Sequence, residues 1–518
     1  MSASPLAWFR RRLEGLLPDE HATSRDFTYG RLWLIRNGIS AQAMETLAAG
    51  PFLAACAIYL GASNITIGLL AAVPHLTQLI QLAGVYLVER FRVRRLIAVV
   101  SGCLARIAYL AMIAAMLIPS TNLALGVLVA AVALRYAFGA FVGAAWNAWL
   151  PELVPLERRS EYFGKRLRVM TIVGTGLSLA AAGLVDWQSA TGPEGFRSAY
   201  TVLFALALVT GLHSVYCMTR MPDPKMGPPA RKLPFAKLLV RPFSDINFRA
   251  LLLFLGTWNF AINLASPFFV VYMLRRLDLD LTLVTVFIIV SQLANVLTMT
   301  YWGRIADRYS NKSVLAVCAP LFIACIFAWT FTTFPEPHRL TIPLLIVIHM
   351  LTGVATAGVS LASTTIGMKL APKSEVTAYL ACNSVVISVA SGLAPIVGGL
   401  TADFFVRREL SLVIHWVAPS GERDIPALFV SQWDFFFLLA AIIGLYSIHR
   451  LSLIREQGDV EEKIVMQDVL SGTRRTIRNL STIAGLRAIS ELPIAMIQRS
   501  LRRRSHRRHA KSRDPSEP

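Results

Sequence analysis

The sequence predicts an all-α polytopic membrane protein in which twelve transmembrane helices form two pseudo-symmetric six-helix bundles. Three observations lead there. The chain has 518 residues, 55% of them hydrophobic and 16% charged, with a mean hydropathy of +0.55, a balance that water-soluble domains do not have. Twelve stretches are apolar over the roughly 20 residues that a bilayer crossing needs. The two halves of the chain also repeat each other's landmarks at a nearly constant offset, which is the mark of an internal duplication.

In chain order, residues 1–36 form a cytoplasmic segment without the continuous apolar core and small-residue cleavage site of a secretory signal. The first bundle, 37–219, holds apolar runs at 37–60, 64–88, 95–118, 123–150, 169–187 and 199–219. A linker at 220–248, rich in Pro and basic residues, suits a cytoplasmic connection that does not pack as a domain. The second bundle, 249–453, holds runs at 250–274, 281–302, 313–332, 341–367, 377–402 and 432–453, and residues 454–518 form a basic amphipathic tail. All six cysteines lie inside the runs with no disulfide or metal spacing, and read as small apolar side chains. The great majority of the 51 Lys and Arg residues fall on the side of the termini, and positive charge near span ends is retained in the cytoplasm. Both termini are therefore expected inside, in a bacterial inner (plasma) membrane. Arg275 and Arg276, in a short external loop with Asp278 and Asp280, are the local exception.

A charged strip, "GRIADRYSNK" (Gly303 to Lys312), follows the eighth run, and 218 residues earlier "VYLVERFRVR" sets Glu89, Arg90 and Phe91 opposite Asp307, Arg308 and Tyr309. Close to that offset, "GPF" (Gly50 to Phe52) meets "SPF" (Ser266 to Phe268), and Leu153, Pro155, Tyr162 and Asp186 meet Leu370, Pro372, Tyr379 and Asp403. With its twelve runs and paired strips the chain resembles the major facilitator superfamily, whose signature after helices 2 and 8 is Gly-x-x-x-Asp-Arg-x-x-Arg-Arg/Lys. Gly303, Asp307, Arg308 and Lys312 match it, while in the first copy Val85 replaces the glycine and Glu89 the aspartate, with Arg90, Arg94 and Arg95 retained. The resemblance implies a gate: the acid of each strip bonds an Arg and the N-terminus of a neighbouring helix, holding the cytoplasmic side closed. Glu89, Arg90, Asp307, Arg308 and Lys312 are its expected members. The competing reading is that basic loops only enforce orientation.

Three ionised side chains remain deep within the runs, Glu45, Arg106 and Arg135, all in the first half. Such groups are costly in the bilayer and are expected to face a cavity with a partner. Glu45 is the candidate for proton or cation coupling, paired with Arg106 or Arg135; the rival is a static ion pair that fixes helix packing. Arg135 opens "RYAFGAFVGAA", similar to a family motif on helix 4, although Phe138 stands where a polar residue is usual. His349 echoes Arg135 in helix 10 as a titratable group. His75 reads as a side chain serving a local carbonyl. Amides beside indoles mark candidate substrate contacts: Trp146 and Asn147 on helix 4, Trp258, Asn259 and Asn263 on helix 7, Gln292 and Asn295 on helix 8, and Asn383 on helix 11. Trp146 and Trp149 are equally read as interfacial anchors. Helix 5, "VGTGLSLAAAG", lacks the proline-containing motif of drug antiporters, and "APIVGG" lies on helix 11 instead.

From Ser471 to Arg513 the tail is Arg-rich with Glu491 as its one acid, and its apolar residues recur at helical intervals. That pattern fits a helix on an anionic lipid surface; nucleic acid is the weaker reading, because no recognition module accompanies the charge. There is no nucleotide-binding loop, cofactor signature or enzyme constellation. The implied function is a secondary active transporter moving a small organic solute by alternating access, driven by a proton or ion. The alternatives are a lipid or amphiphile translocase, and a transporter-like assembly factor or sensor.

Overall fold

A computed structural model describes residues 16–19, 24–155, 159–227, 241–333, 339–372, 375–418 and 421–456. The basic tail beyond 456 and most of the linker lie outside them. Among the described residues there are twelve helices long and apolar enough to cross a membrane: Arg25–Tyr59, Asn64–Phe91, Arg94–Leu117, Thr121–Leu153, Glu161–Ser189, Pro193–Thr219, Ile246–Arg275, Leu281–Arg308, Asn311–Thr333, Thr341–Leu370, Ala378–Phe405 and Trp433–Ser452. They are called spans 1 to 12 below. Span 1 starts well before residue 37, because apolar patterning marks only the part of a helix that meets lipid and its polar first turns continue beyond it. The ends of spans 6 and 12 lie at one face of the bundle, here the terminal face. The opposite face carries an antiparallel hairpin of β1 (Glu409–Ala418) and β2 (Gly421–Ser431), which hydropathy alone does not mark. Its register slips between Leu412 and Val413, opposite Pro426, which has no N–H to give to the ladder.

Span 1 is broken. Its helix stops at Ala48, Ala49 is extended, Gly50 takes a φ of 55°, and Pro51 restarts the helix. Proline lacks the N–H needed to continue a helix and disfavours helical geometry in the residue before it, and glycine takes the left-handed φ without a steric penalty. The matching Ser266 and Pro267 sit inside an unbroken helix, Ile246–Arg275.

Each bundle is tied at the terminal face by an acid just beyond its sixth helix. In the first, Asp223 accepts from the Arg95 backbone N–H at the start of span 3 (3.2 Å) and from Arg94 Nε (3.0 Å). Arg94 is fully buried and also donates to Glu152 (2.9 Å). In the second bundle, Glu456 accepts from the backbone N–H groups of Asn311 (3.3 Å) and Lys312 (2.8 Å) at the start of span 9, with Lys369 at 3.5 Å. Between bundles, spans 2 and 11 cross closely on glycines. A methyl group at Gly68 would collide with the Pro395 carbonyl, and one at Gly399 with the backbone of Asn64 and Ile65.

The two ties differ in strength. Asp223→Asn strips a buried guanidinium of its buried charge partner and leaves only Glu152, which is 43% exposed, a loss of about 3 kcal/mol, and should lower the thermal midpoint in detergent by several degrees. Glu456→Gln should lower it less, because the amide oxygen still accepts the helix N–H groups and Lys369 is half exposed. Equal losses in a melting assay would contradict this ordering.

Candidate functional site

All hydrogen bonds that join the two halves among the described residues lie at the hairpin face. Asp403, at the end of span 11, accepts from the N–H groups of Asn64 (3.2 Å) and Ile65 (3.0 Å), the first residues of span 2. Asp186, near the end of span 5, accepts from those of Leu281 (3.1 Å) and Thr282 (2.8 Å), the first residues of span 8. These are one interaction made twice, since Asp186 and Asp403 occupy equivalent places in the two halves. Arg275 adds a third clasp from span 7, donating to Asn64 Oδ1 (3.1 Å) and the Ala62 carbonyl (2.6 Å). Arg275, expected in a loop, is the last residue of the span 7 helix, and this contact gives the cation a local function at the hairpin face. A carboxylate at a helix start satisfies N–H groups that have no partner within the helix and meets the positive end of the helix dipole.

Beneath the Asp186 clasp, spans 1, 5 and 8 enclose a crevice of about 470 Å³. Span 1 contributes Gln42, Glu45 and Thr46; span 5 Thr171, Thr175 and Ser178; span 8 Thr285 and Gln292. On the other side of the Gly50 break a second cavity, of about 330 Å³, is lined by Pro51, His75, Tyr136, Asn263 and Pro267. The prolines of the two duplicated landmarks thus line one cavity.

Glu45 resolves to one partner. It is ion-paired with Arg135, and its other oxygen accepts from the Tyr136 hydroxyl (3.0 Å). Arg135 is 4% exposed, donates to the Ala48 carbonyl (3.1 Å), and lies over the Tyr109 and Tyr136 rings. The Glu45 side chain is 46% exposed, toward the crevice. Arg106 is not the partner: it is buried and donates Nε to the Gly211 carbonyl of span 6 (3.3 Å).

Of the residues singled out in the sequence, Gln292 lines the crevice and Asn263 the second cavity, where Asn263 also donates to Ser391 (3.1 Å). Others stand apart. Trp258 is 2% exposed, packed between Phe254 and Phe322 in the core of the second bundle, and Asn259 donates to the Leu255 carbonyl of its own helix. Asn383 is buried against Gly367, and Asn295 lines neither cavity. Trp146 lies under the Arg166 guanidinium and Asn147 is exposed, both toward the terminal face. His349 is buried between Phe287 and Trp329, its Nδ1 on the Leu345 carbonyl (2.8 Å). Asp307, Glu89 and Arg90 are exposed, and neither acid bonds a helix N-terminus among the described residues. Arg308 stacks on Tyr309, and the Lys312 backbone serves the Glu456 tie. The closed clasps are thus the aspartates of the opposite face. Asp186 and Asp403 were visible as repeat landmarks, but sequence alone gave them no partner.

Two six-helix bundles clasped at one face over a polar crevice make a membrane transporter of the two-bundle type. The sequence profile of the Major Facilitator Superfamily matches residues 38–340 and 260–497, and the chain belongs to that family. No protein of curated function matches it by sequence. Among solved structures it is similar to a variant of the nucleoside transporter NupG (11% identity, TM-score 0.59, covering 82% of this chain and 100% of that one). It is also similar to a D-xylose-proton symporter (12%, 0.58, 84% and 98%) and to a bacterial homologue of the iron transporter ferroportin in an inward-facing state (12%, 0.57, 83% and 99%). At these identities the likeness is one of fold.

Each aspartate cap is worth about 1 kcal/mol. Asp186→Ala or Asp403→Ala should therefore move the balance between closed and open hairpin faces roughly fivefold toward open, and the pair together by the product. The measurement is the reactivity of a cysteine introduced at Ser178 toward an impermeant reagent applied from the hairpin side. Unchanged reactivity in the double variant would remove the clasps from the gate.

Proposed function

We propose that the chain is a secondary active transporter that carries a small polar solute by alternating access, coupled to protons through Glu45. The terminal face, with most of the Lys and Arg residues, is cytoplasmic, and the conformation described here is the one closed to the outside. The observation that carries this reading is the pair of equivalent clasps, Asp186 on span 8 and Asp403 on span 2. Together with the Arg275 clasp they make up the hydrogen bonds that join the two halves among the described residues, all at one face, so the bundles can rock about them. The exposed acids Glu89 and Asp307 of the charged strips are then the counterpart, engaged when the outer face opens. The crevice argues against a sealed assembly factor, and Glu45 at its wall is accessible to a proton while held by a fixed cation. Loss of its charge changes the pull on Arg135 and Tyr136, which links protonation to the position of spans 1 and 4.

Glu45→Gln keeps shape and hydrogen bonds but cannot release a proton. In proteoliposomes it should abolish gradient-driven uptake by at least tenfold while substrate exchange persists. A static ion pair predicts a different result: poor folding, because a buried Arg135 loses its partner at several kcal/mol, with recovery in Glu45→Gln/Arg135→Gln. A stable Glu45→Gln protein with normal gradient dependence would overturn the coupling role.

A further inference from the structure

The wall of the crevice carries a group that nothing among the described residues satisfies. Thr285, on span 8 one turn below the Asp186 clasp, is 2% exposed, and its hydroxyl has no hydrogen-bond partner. It lines the crevice. A buried hydroxyl left unpaired is destabilising, and such groups in native proteins call for a partner beyond the chain. Across from it Glu45 offers a carboxylate whose two oxygens each accept one bond, from Arg135 and from Tyr136. Each oxygen keeps a further lone pair toward the open side. Between them stand Thr171 and Thr175 and the carboxamides of Gln42 and Gln292. No cation lines the space and no acid other than Glu45 does.

Charge decides what such a wall accepts. An anion would face the Glu45 carboxylate, with the two guanidinium groups that would attract it buried behind the lining, 6% exposed at Arg106 and 4% at Arg135. A cation would meet a carboxylate already countered by Arg135, and a second guanidinium, Arg106, that has no ion-pair partner among the described residues. Both signs are disfavoured, whereas neutral hydroxyl groups can donate to Glu45 and exchange bonds with the threonines and amides. An amphiphile's tail would leave those polar groups unpaired. The volume of about 470 Å³ lies in the range of small-molecule sites, about 300–1,000 Å³.

We infer that this crevice binds a neutral, hydroxyl-rich solute, with the Thr285 hydroxyl as one of its contacts. The inference rests on the transport reading and narrows it to a substrate class. The test uses the full-length protein carrying Ser178→Cys, in vesicles, and measures protection of that thiol by sugars, sugar alcohols and nucleosides. Sorbitol is compared with two matched charged polyols, gluconate and N-methylglucamine. Neutral members should protect, and Thr285→Val, which keeps the shape and removes the hydroxyl, should weaken the best of them about tenfold while leaving the thermal midpoint of the free protein unchanged or higher. Protection by charged members at equal or lower concentration, or by no neutral member, would overturn the substrate class. So would a Thr285→Val protein that loses stability and keeps its affinity. The transport reading is separable, because it fails if the Ser178→Cys thiol never becomes reactive from the hairpin side, even in Asp186→Ala/Asp403→Ala, whichever solute is present.

Discussion

The first backbone N–H groups of a helix have no partner within it, and in a membrane protein little water stands by to supply one. Beside Asp245, which caps its own helix, four acids distant in sequence answer that constraint among the described residues. Asp223 serves the start of span 3 and Glu456 the start of span 9, each within its own bundle. Asp403 serves span 2 and Asp186 span 8, each across the boundary between bundles. The first pair holds each bundle together as a unit. The second pair joins two such units at one face only, so the same chemistry gives rigidity in one place and a reversible contact in the other. The bonds within a bundle are supported by buried Arg94 or by Lys369, whereas those between bundles lean on two N–H groups apiece and on Arg275.

The crevice follows from that arrangement. Clasps at the hairpin face bring spans 1, 5 and 8 together below it, and the break in span 1 sets Glu45 on the wall while the upper half of the span packs on span 7. The Glu45–Arg135 pair shows why charge can persist at this depth: the cation is buried against two tyrosine rings, and the anion keeps nearly half its surface for the cavity. Neither group is alone in the bilayer interior, and one of them remains reachable.

Much of this was legible in the sequence, and the limits have physical causes. Hydropathy and the repeat defined twelve spans and two bundles because length and apolarity are what a bilayer selects. Glu45 and Arg135 stood out because ionised groups are rare there. Asp186 and Asp403 sat at the very ends of their runs, where an acid looks like ordinary loop polarity; only their coincidence in the repeat marked them. Trp258 and Asn383 were misleading as cavity candidates because a span surrounded by other helices is apolar on every side, and a single sequence does not say which side faces a void. Thr285 carried no signal, since a threonine in an apolar helix commonly bonds the carbonyl one turn back. The hairpin escaped because the spans on either side of it dominated the reading.

The Gly50 break bears on how a duplicated protein loses its symmetry. Both halves inherited a proline at the same depth, but only the first has a glycine before it, and only there does the helix part. The first half therefore has an elbow where the second has a strut. The segment bearing Gln42 and Glu45 can pivot against Phe52 and its neighbours without either portion losing its own hydrogen bonds, whereas span 7 must move whole. The joint lies beside the Glu45–Arg135 pair, and the unbroken copy is the stiff frame against which it bends.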